Sequence, residues 1–192
     1  APPDGIIYKG LKPGTTRACF AQAVANGTCS DYLQAVPVKA GECHFLPAGV
    51  CHAIGAGLVI AEIQQPSDTT YRVFDWNRLD PATGKPRPLH IEEALESIHF
   101  DMSAVPLPVT TVGRLVDAPE FKLDKGHQMP GCEVLLNSPV PKAMLFLSGG
   151  GTIYGRTFED IPVRKGDTVL IPAQVEGFIR FEDQTEYLTA WV

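Results

Sequence analysis

Residues 38–50 read Val-Lys-Ala-Gly-Glu-Cys-His-Phe-Leu-Pro-Ala-Gly-Val, and residues 163–175 read Val-Arg-Lys-Gly-Asp-Thr-Val-Leu-Ile-Pro-Ala-Gln-Val. Val, Gly, Pro, Ala and Val coincide, and Lys/Arg, Glu/Asp, Phe/Leu and Leu/Ile match in character. Upstream of each copy stands a glycine close to Ile-Tyr, in Gly5-Ile6-Ile7-Tyr8 and in Gly151-Thr152-Ile153-Tyr154. An internal repeat of this kind means that one supersecondary unit is used twice. Short apolar runs separated by turn residues predict that the unit is built of strands. The 18 Gly and 17 Pro are spread along the chain as punctuation, the pattern of an all-β sandwich or barrel.

Helix signals are few. Thr15 or Thr16 can cap a segment filled by Ala18, Phe20, Ala21, Ala23, Val24 and Ala25, with Asn26-Gly27 as its stop. Ser30–Leu33 reads as a short helical turn, and 91–98 as a short helix with Leu95 and Ile98 on one side. Strands are predicted at 5–8, 36–39, 43–46, 58–65 and 70–76. In the second half they are predicted at 112–116, 133–136, 143–147, 152–154, 168–171, 178–181 and 187–192. Residues 80–90 form a turn-rich loop, and Gly149-Gly150-Gly151 reads as a turn, since no Lys-Ser/Thr and helix follow it. Pro106 and Pro108 mark a connection, and the domains are expected at 1–104 and 105–192.

Charge narrows the partners. The net charge of −6 and the lack of a basic run argue against nucleic acid. No apolar run is long enough to span a bilayer, and residues 1–4 lack the features of a secretory signal. The five cysteines, odd in number and without a CxxC, read as reduced thiols of a cytoplasmic protein.

Gly41, five residues, Pro47, one residue, Gly49, two residues and His52 form a spacing that resembles the second motif of the cupin barrels. Gly41 permits the turn into a strand, and Pro47 and Gly49 make a turn after it. His52 then points inward from the next strand. The Asn usual four residues later is Ala56 here. The second copy keeps Gly166 and Pro172, but Gln174 replaces the second glycine and Gly177 the histidine. It keeps the scaffold and lacks the ligand. The expected fold is therefore all-β, with two cupin, jelly-roll-like units carrying small helical insertions. Only six residues precede Ile7-Tyr8, so the first unit is expected to be incomplete at its N-terminus.

The stretch 47–78, PAGVCHAIGAGLVIAEIQQPSDTTYRVFDWNR, and its continuation Gly84-Lys85-Pro86-Arg87-Pro88-Leu89-His90 resemble the type I mannose-6-phosphate isomerases. The likeness is specific over about 36–98 and generic after 110. It implies interconversion of mannose 6-phosphate and fructose 6-phosphate in the cytoplasm, through an enediolate and with one zinc ion. His52 sits at the position of the family's last His ligand, and the other ligands are expected before Ala1. Arg72 matches the catalytic arginine, whose fixed guanidinium would stabilise charge developing on oxygen. The competing reading of Arg72 is an ion pair with Asp68 or Asp75.

Period-2 alternation puts Glu62 and Gln64 on one strand face. The resemblance implies that Glu62 lines the sugar pocket, with proton transfer or structural pairing as its two possible roles. Gln64 and Arg78 are the substrate-binding candidates, while Lys85 and Arg87 read as solvated loop charges. His44, His90, His99 and His127 show no site spacing. Cys51 should face away from His52, because adjacent residues on an extended chain point to opposite sides. The alternative function is a noncatalytic sugar-binding or regulatory cupin, or an inert fragment. The partner is a small sugar phosphate in the leading reading; the oligomeric state is open.

Overall fold

A computed structural model describes all residues except 1, 3, 68, 77 and 102–105. The chain divides into two compact units, Ala1–Pro108 and Val109–Val192.

In the first unit three strands form one antiparallel sheet in the order β2-β1-β3, with β1 at Ile6–Leu11, β2 at Leu33–Pro37 and β3 at His52–Ile54. Helix α1, Arg17–Ala25, lies between β1 and β2 in sequence. The Thr16 side chain caps it by accepting from the Cys19 amide at 3.2 Å, and Gly27 ends it at φ +71°. A 3₁₀ turn follows at Cys29–Tyr32, and α2 spans Ile91–Ser97. Phe20, Ala23 and Val24 of α1 pack with Leu11, Cys29, Leu33 and Leu95 into a small core.

The second unit is a sandwich. A five-stranded sheet runs β10-β7-β12-β5-β4 and a four-stranded sheet β6-β11-β8-β9. Their ranges are β4 Gly113–Asp117, β5 Lys122–Gln128, β6 Glu133–Leu135, β7 Lys142–Ser148, β8 Gly150–Gly155, β9 Ile161–Arg164, β10 Thr168–Ile171, β11 Gly177–Phe181 and β12 Thr185–Trp191. Phe146 and Tyr187 from one sheet meet Ile153, Ile179 and Phe181 from the other in one core, where the Phe181 and Tyr187 rings stack at 5.5 Å. Architecture and element content are those of an all-β, jelly-roll-like protein.

The repeat is real at the level of strand register. In the first unit β1 pairs with β3 as Ile7↔Ile54, Tyr8↔Ala53 and Lys9↔His52, and with β2 as Ile7↔Val36 and Ile6↔Pro37. In the second, β8 pairs with β11 as Ile153↔Ile179, Tyr154↔Phe178 and Gly155↔Gly177, and with β9 as Ile153↔Ile161 and Thr152↔Pro162. Each pair falls at the position the repeat assigns. The turns agree as well: Gly41 and Gly166 have φ +90° and +91°, and Gly49 at +81° corresponds to Gln174 at +59°.

Several elements differ from the sequence reading. Residues 58–65 form no strand, and Val59 is 96% exposed. A strand needs partners for its backbone groups, and among the described residues none pairs with this segment. Residues 70–76 are also irregular, ending at Trp76 with φ +49°. Of residues 43–46 only Cys43 makes a β-bridge. Gly149 turns at φ +66°, but Gly150 and Gly151 belong to β8, where a Cβ on either would lie within 2.4 Å of a neighbouring strand's carbonyl oxygen. Apolar alternation does not reveal strand β5. Strand β5 is mostly polar, and β9 contains Pro162, which an edge strand tolerates.

Candidate functional site

His52 opens β3 and is exposed. Its ring Nδ1 lies 2.8 Å from the Val50 carbonyl oxygen. A carbonyl can only accept, so Nδ1 carries the proton and Nε2 keeps its lone pair outward. This is the tautomer that a metal-binding imidazole needs, fixed by a backbone acceptor. The preceding Cys51 packs on the helical core, and burial pushes its thiol up to about 12. It is on the opposite side of the sheet and is no thiolate ligand.

Opposite His52 on β1 stands Lys9, and directly paired residues of an antiparallel sheet share a face. Ile7 and Ile54 occupy that same face, the counterpart of Ile153 and Ile179 in the second core. Lys9 is only 2% exposed. Its ammonium donates to the Pro106 carbonyl oxygen at 2.6 Å. Among the described residues no carboxylate forms an ion pair with it. Burial lowers its pKa from the ordinary lysine value, the mark of an ammonium poorly compensated where it lies.

Arg72 is positioned through its backbone. Its carbonyl accepts from the His90 amide at 2.8 Å, and its own amide points to His90 Nδ1 at 3.4 Å. His90 is the N-cap residue of α2, so the helix start anchors the arginine. Pro88 supplies a long 3.4 Å contact to the guanidinium. Further along the same two chain paths, Asp75 meets Arg87, Leu79 bridges Pro86, and the Asp80 amide donates to the Lys85 carbonyl at 2.8 Å. Residues 72–76 and 78–80 are thus zipped against 85–90 in a narrow hairpin.

The clamp of that hairpin is Asp75. Its buried carboxylate accepts from Arg87 Nε at 2.7 Å, from Arg87 Nη2, and from Arg78 Nη2 at 2.8 Å. The Arg87 fork and the Arg78 guanidinium hold the acid down to about 2. Arg87 is therefore no solvated loop charge; it is one jaw of this clamp. Asp75 is taken by Arg78 and Arg87 and not by Arg72, and Asp68 lies outside the described residues. Arg78, read as a substrate cation, is held by Asp75 and also lies 5.8 Å from the centre of the Trp76 ring.

Glu62 and Gln64 are both exposed in the irregular segment, so period-2 facing does not apply to them there. Among the described residues no hydrogen bond or ion pair joins His52, Glu62 and Arg72. A small recess nearby is lined by Gly10, Leu11, Gly49, Val50, Cys51, Ile98 and His99, and none of the three lines it. Nor do any three His, Cys, Asp or Glu among the described residues form a group that could hold a metal ion. His52 fits as one ligand, but zinc at a catalytic site takes about three from protein. The described residues alone do not fit the ion. His44 bonds to Glu42 at 3.2 Å, with its other nitrogen buried and unpartnered. His127 contacts Gln184, and His99 packs over Gly49.

Sequence reasoning missed Lys9 and the Asp75–Arg87 pair. A carboxylate inside Val73-Phe74-Asp75-Trp76 was the available signal for the clamp, because an acid in an apolar run needs a partner. Lys9 carried a similar one, in the run Ile6-Ile7-Tyr8-Lys9.

The chain is similar in sequence to mannose-6-phosphate isomerase of Streptococcus mutans serotype c, 33% identical over 177 residues, covering 88% of this chain and 54% of that protein. It is 31% identical over 170 residues to a mannose-6-phosphate isomerase of Bacillus subtilis, covering 82% of this chain and 51% of that one. The chain spans about half the length of the curated relatives it matches. In fold it matches the crystal structure of the mannose 6-phosphate isomerase from Bacillus subtilis with a TM-score of 0.80 at 23% identity. That match covers 99% of this chain and 61% of the other. No family model matches the chain.

Proposed function

Because the chain is related along most of its length to the mannose-6-phosphate isomerases, we propose that this protein interconverts mannose 6-phosphate and fructose 6-phosphate. The observation that carries the reading is the 33% identity sustained over 88% of the chain. The reaction moves a proton between C1 and C2 and passes through an enediolate. Its demand on the protein is positive charge held near oxygens as they become anionic. Arg72, anchored by His90 at the start of α2, is assigned that role. The Asp75–Arg87 clamp keeps the hairpin that carries it from fraying. Glu62 is assigned to the sugar pocket, and Gln64 and Arg78 to substrate binding; the likeness of residues 47–78 to the isomerases supports these assignments.

Zinc is part of the proposal, as a Lewis acid that polarises substrate oxygens when bound. His52 is proposed as one ligand, supported by its fixed tautomer. Since the described residues lack a full ligand set, no step is drawn through the ion. The same observation favours the second reading, a sugar-binding protein without turnover, for the 192-residue chain on its own.

The test is zinc content by elemental analysis together with conversion of mannose 6-phosphate, measured on the 192-residue chain. It is repeated on any longer protein that contains this sequence, with His52→Ala as control. The chain alone should bind zinc weakly and turn over little, and the longer protein should do both well. A longer protein that holds zinc yet leaves mannose 6-phosphate unchanged would sink the isomerase reading. Tight stoichiometric zinc in the short chain, lost in His52→Ala, would overturn the incomplete-site reading.

A further inference from the structure

The two units carry the same sheet and fill one position of it differently. In the first unit the cross-strand pair is Lys9↔His52; in the second it is Gly155↔Gly177. A Cβ on Gly155 would lie 2.5 Å from the Phe158 ring, and one on Gly177 2.9 Å from it. Phe158 packs against the second core, on the face shared by Ile153 and Ile179. One aromatic ring thus stands in the second unit where the first presents an ammonium and an imidazole. The second unit is plugged at this point, and the first keeps two polar groups side by side.

Two observations single out Lys9. It is nearly fully buried, and among the described residues it has one hydrogen bond, to Pro106, and no carboxylate partner. An ammonium has three donors, and among the described residues one acceptor takes one of them. A buried cation with no anion among the described residues is costly to keep. Its neighbour His52 belongs to the reacting end of the proposed site, and the register puts Lys9 there with it.

We propose that Lys9 is a second catalytic cation. Its ammonium donates to the substrate oxygen at C1 or C2 that becomes anionic in the enediolate, on the face it shares with His52. This inference rests on the isomerase reading and deepens it. Lys9 gives up no proton: it supplies charge to an oxygen, while the proton moves between C1 and C2. Stabilisation of that oxygen appears only as charge develops, so it acts on turnover more than on substrate binding.

The test compares 6-phosphogluconate with sorbitol 6-phosphate, which differ only in carrying a carboxylate or a hydroxymethyl group at C1. Both bear the phosphate, so its contribution cancels. Binding is measured by calorimetry on the longest natural protein containing this sequence, treated with chelator so that a metal cannot attract the carboxylate. The wild type should prefer 6-phosphogluconate. Lys9→Met should lose that preference, roughly ten- to hundredfold, which is the range of a charge-assisted hydrogen bond. Lys9→Arg should keep part of it. In the untreated protein Lys9→Met should lower kcat by a similar factor and change KM little.

If Lys9→Met fails to fold, lysine-labelled wild type gives the answer by NMR. The Lys9 ammonium resonance should move with 6-phosphogluconate and not with sorbitol 6-phosphate. An unchanged preference in Lys9→Met, or an unmoved resonance, overturns the inference. Turnover with no effect of Lys9→Met removes Lys9 and leaves the isomerase standing. A carboxylate preference lost in Lys9→Met, in a protein without turnover, keeps the anion site and removes the isomerase.

Discussion

Replacing Asp75 by Asn removes the charge from the clamp and keeps its shape. The carboxyl stands at about 2 in the fold against an ordinary value of 3.8. Unscreened, that difference corresponds to about 2.4 kcal/mol at neutral pH. The side chains of Arg78 and Arg87 are 63% and 41% exposed, so solvent screens much of it. About 1 to 1.5 kcal/mol is the expected loss. The sign follows from the depressed pKa. The contribution is complete above 3.8 and disappears as the pH falls through about 2. Urea unfolding of Asp75→Asn in a Trp191→Phe background leaves Trp76 as the reporter, since the chain has two tryptophans. At pH 7 the midpoint should fall by about 0.5–1 M. The gap between parent and variant should hold down to about pH 4 and close towards pH 2. A gap of only a few tenths of a kcal/mol at pH 7, or one that persists unchanged into acid, would refute the clamp as the source.

The repeat supplies a second prediction. Gln174 holds φ +59° where the first copy has Gly49, so Gln174→Gly should stabilise the chain by about 0.5 kcal/mol, the left-handed strain less the entropy of glycine. The reverse change, Gly49→Ala, meets the His99 ring at 2.8 Å as well as φ +81°, and should destabilise by about 2 kcal/mol or more in urea unfolding. The cysteines offer a third. Cys19 and Cys132 are exposed, while burial pushes Cys29 to about 11 and Cys51 to about 12. Iodoacetamide at pH 8, followed by mass spectrometry, should label the first two early and Cys29 and Cys51 only in denaturant. Early labelling of Cys51 would contradict its place against the core.

Local sequence was enough for the β class, the repeat with its turns, helix α1 with a cap at Thr15 or Thr16, and the relationship of residues 36–98. These are short-range matters: a glycine at φ +90°, a threonine three residues before an amide, a turn after Pro47. Strand assignment failed where pairing was needed to settle it. Residues 58–65 have the alternation and β-branched content of a strand, yet among the described residues no partner takes their backbone groups. Conversely β5 is mostly polar, and it is a strand because β12 and β4 flank it. The site divides in the same way. Spacing singles out His52 as a candidate, and its tautomer follows only from the Val50 carbonyl 2.8 Å away. Asp75 and Arg87 are twelve residues apart, and only the folded hairpin makes them a pair. Lys9 and His52 are further separated, and their shared face is a consequence of antiparallel register, which sequence patterns constrain and hydrogen bonding decides.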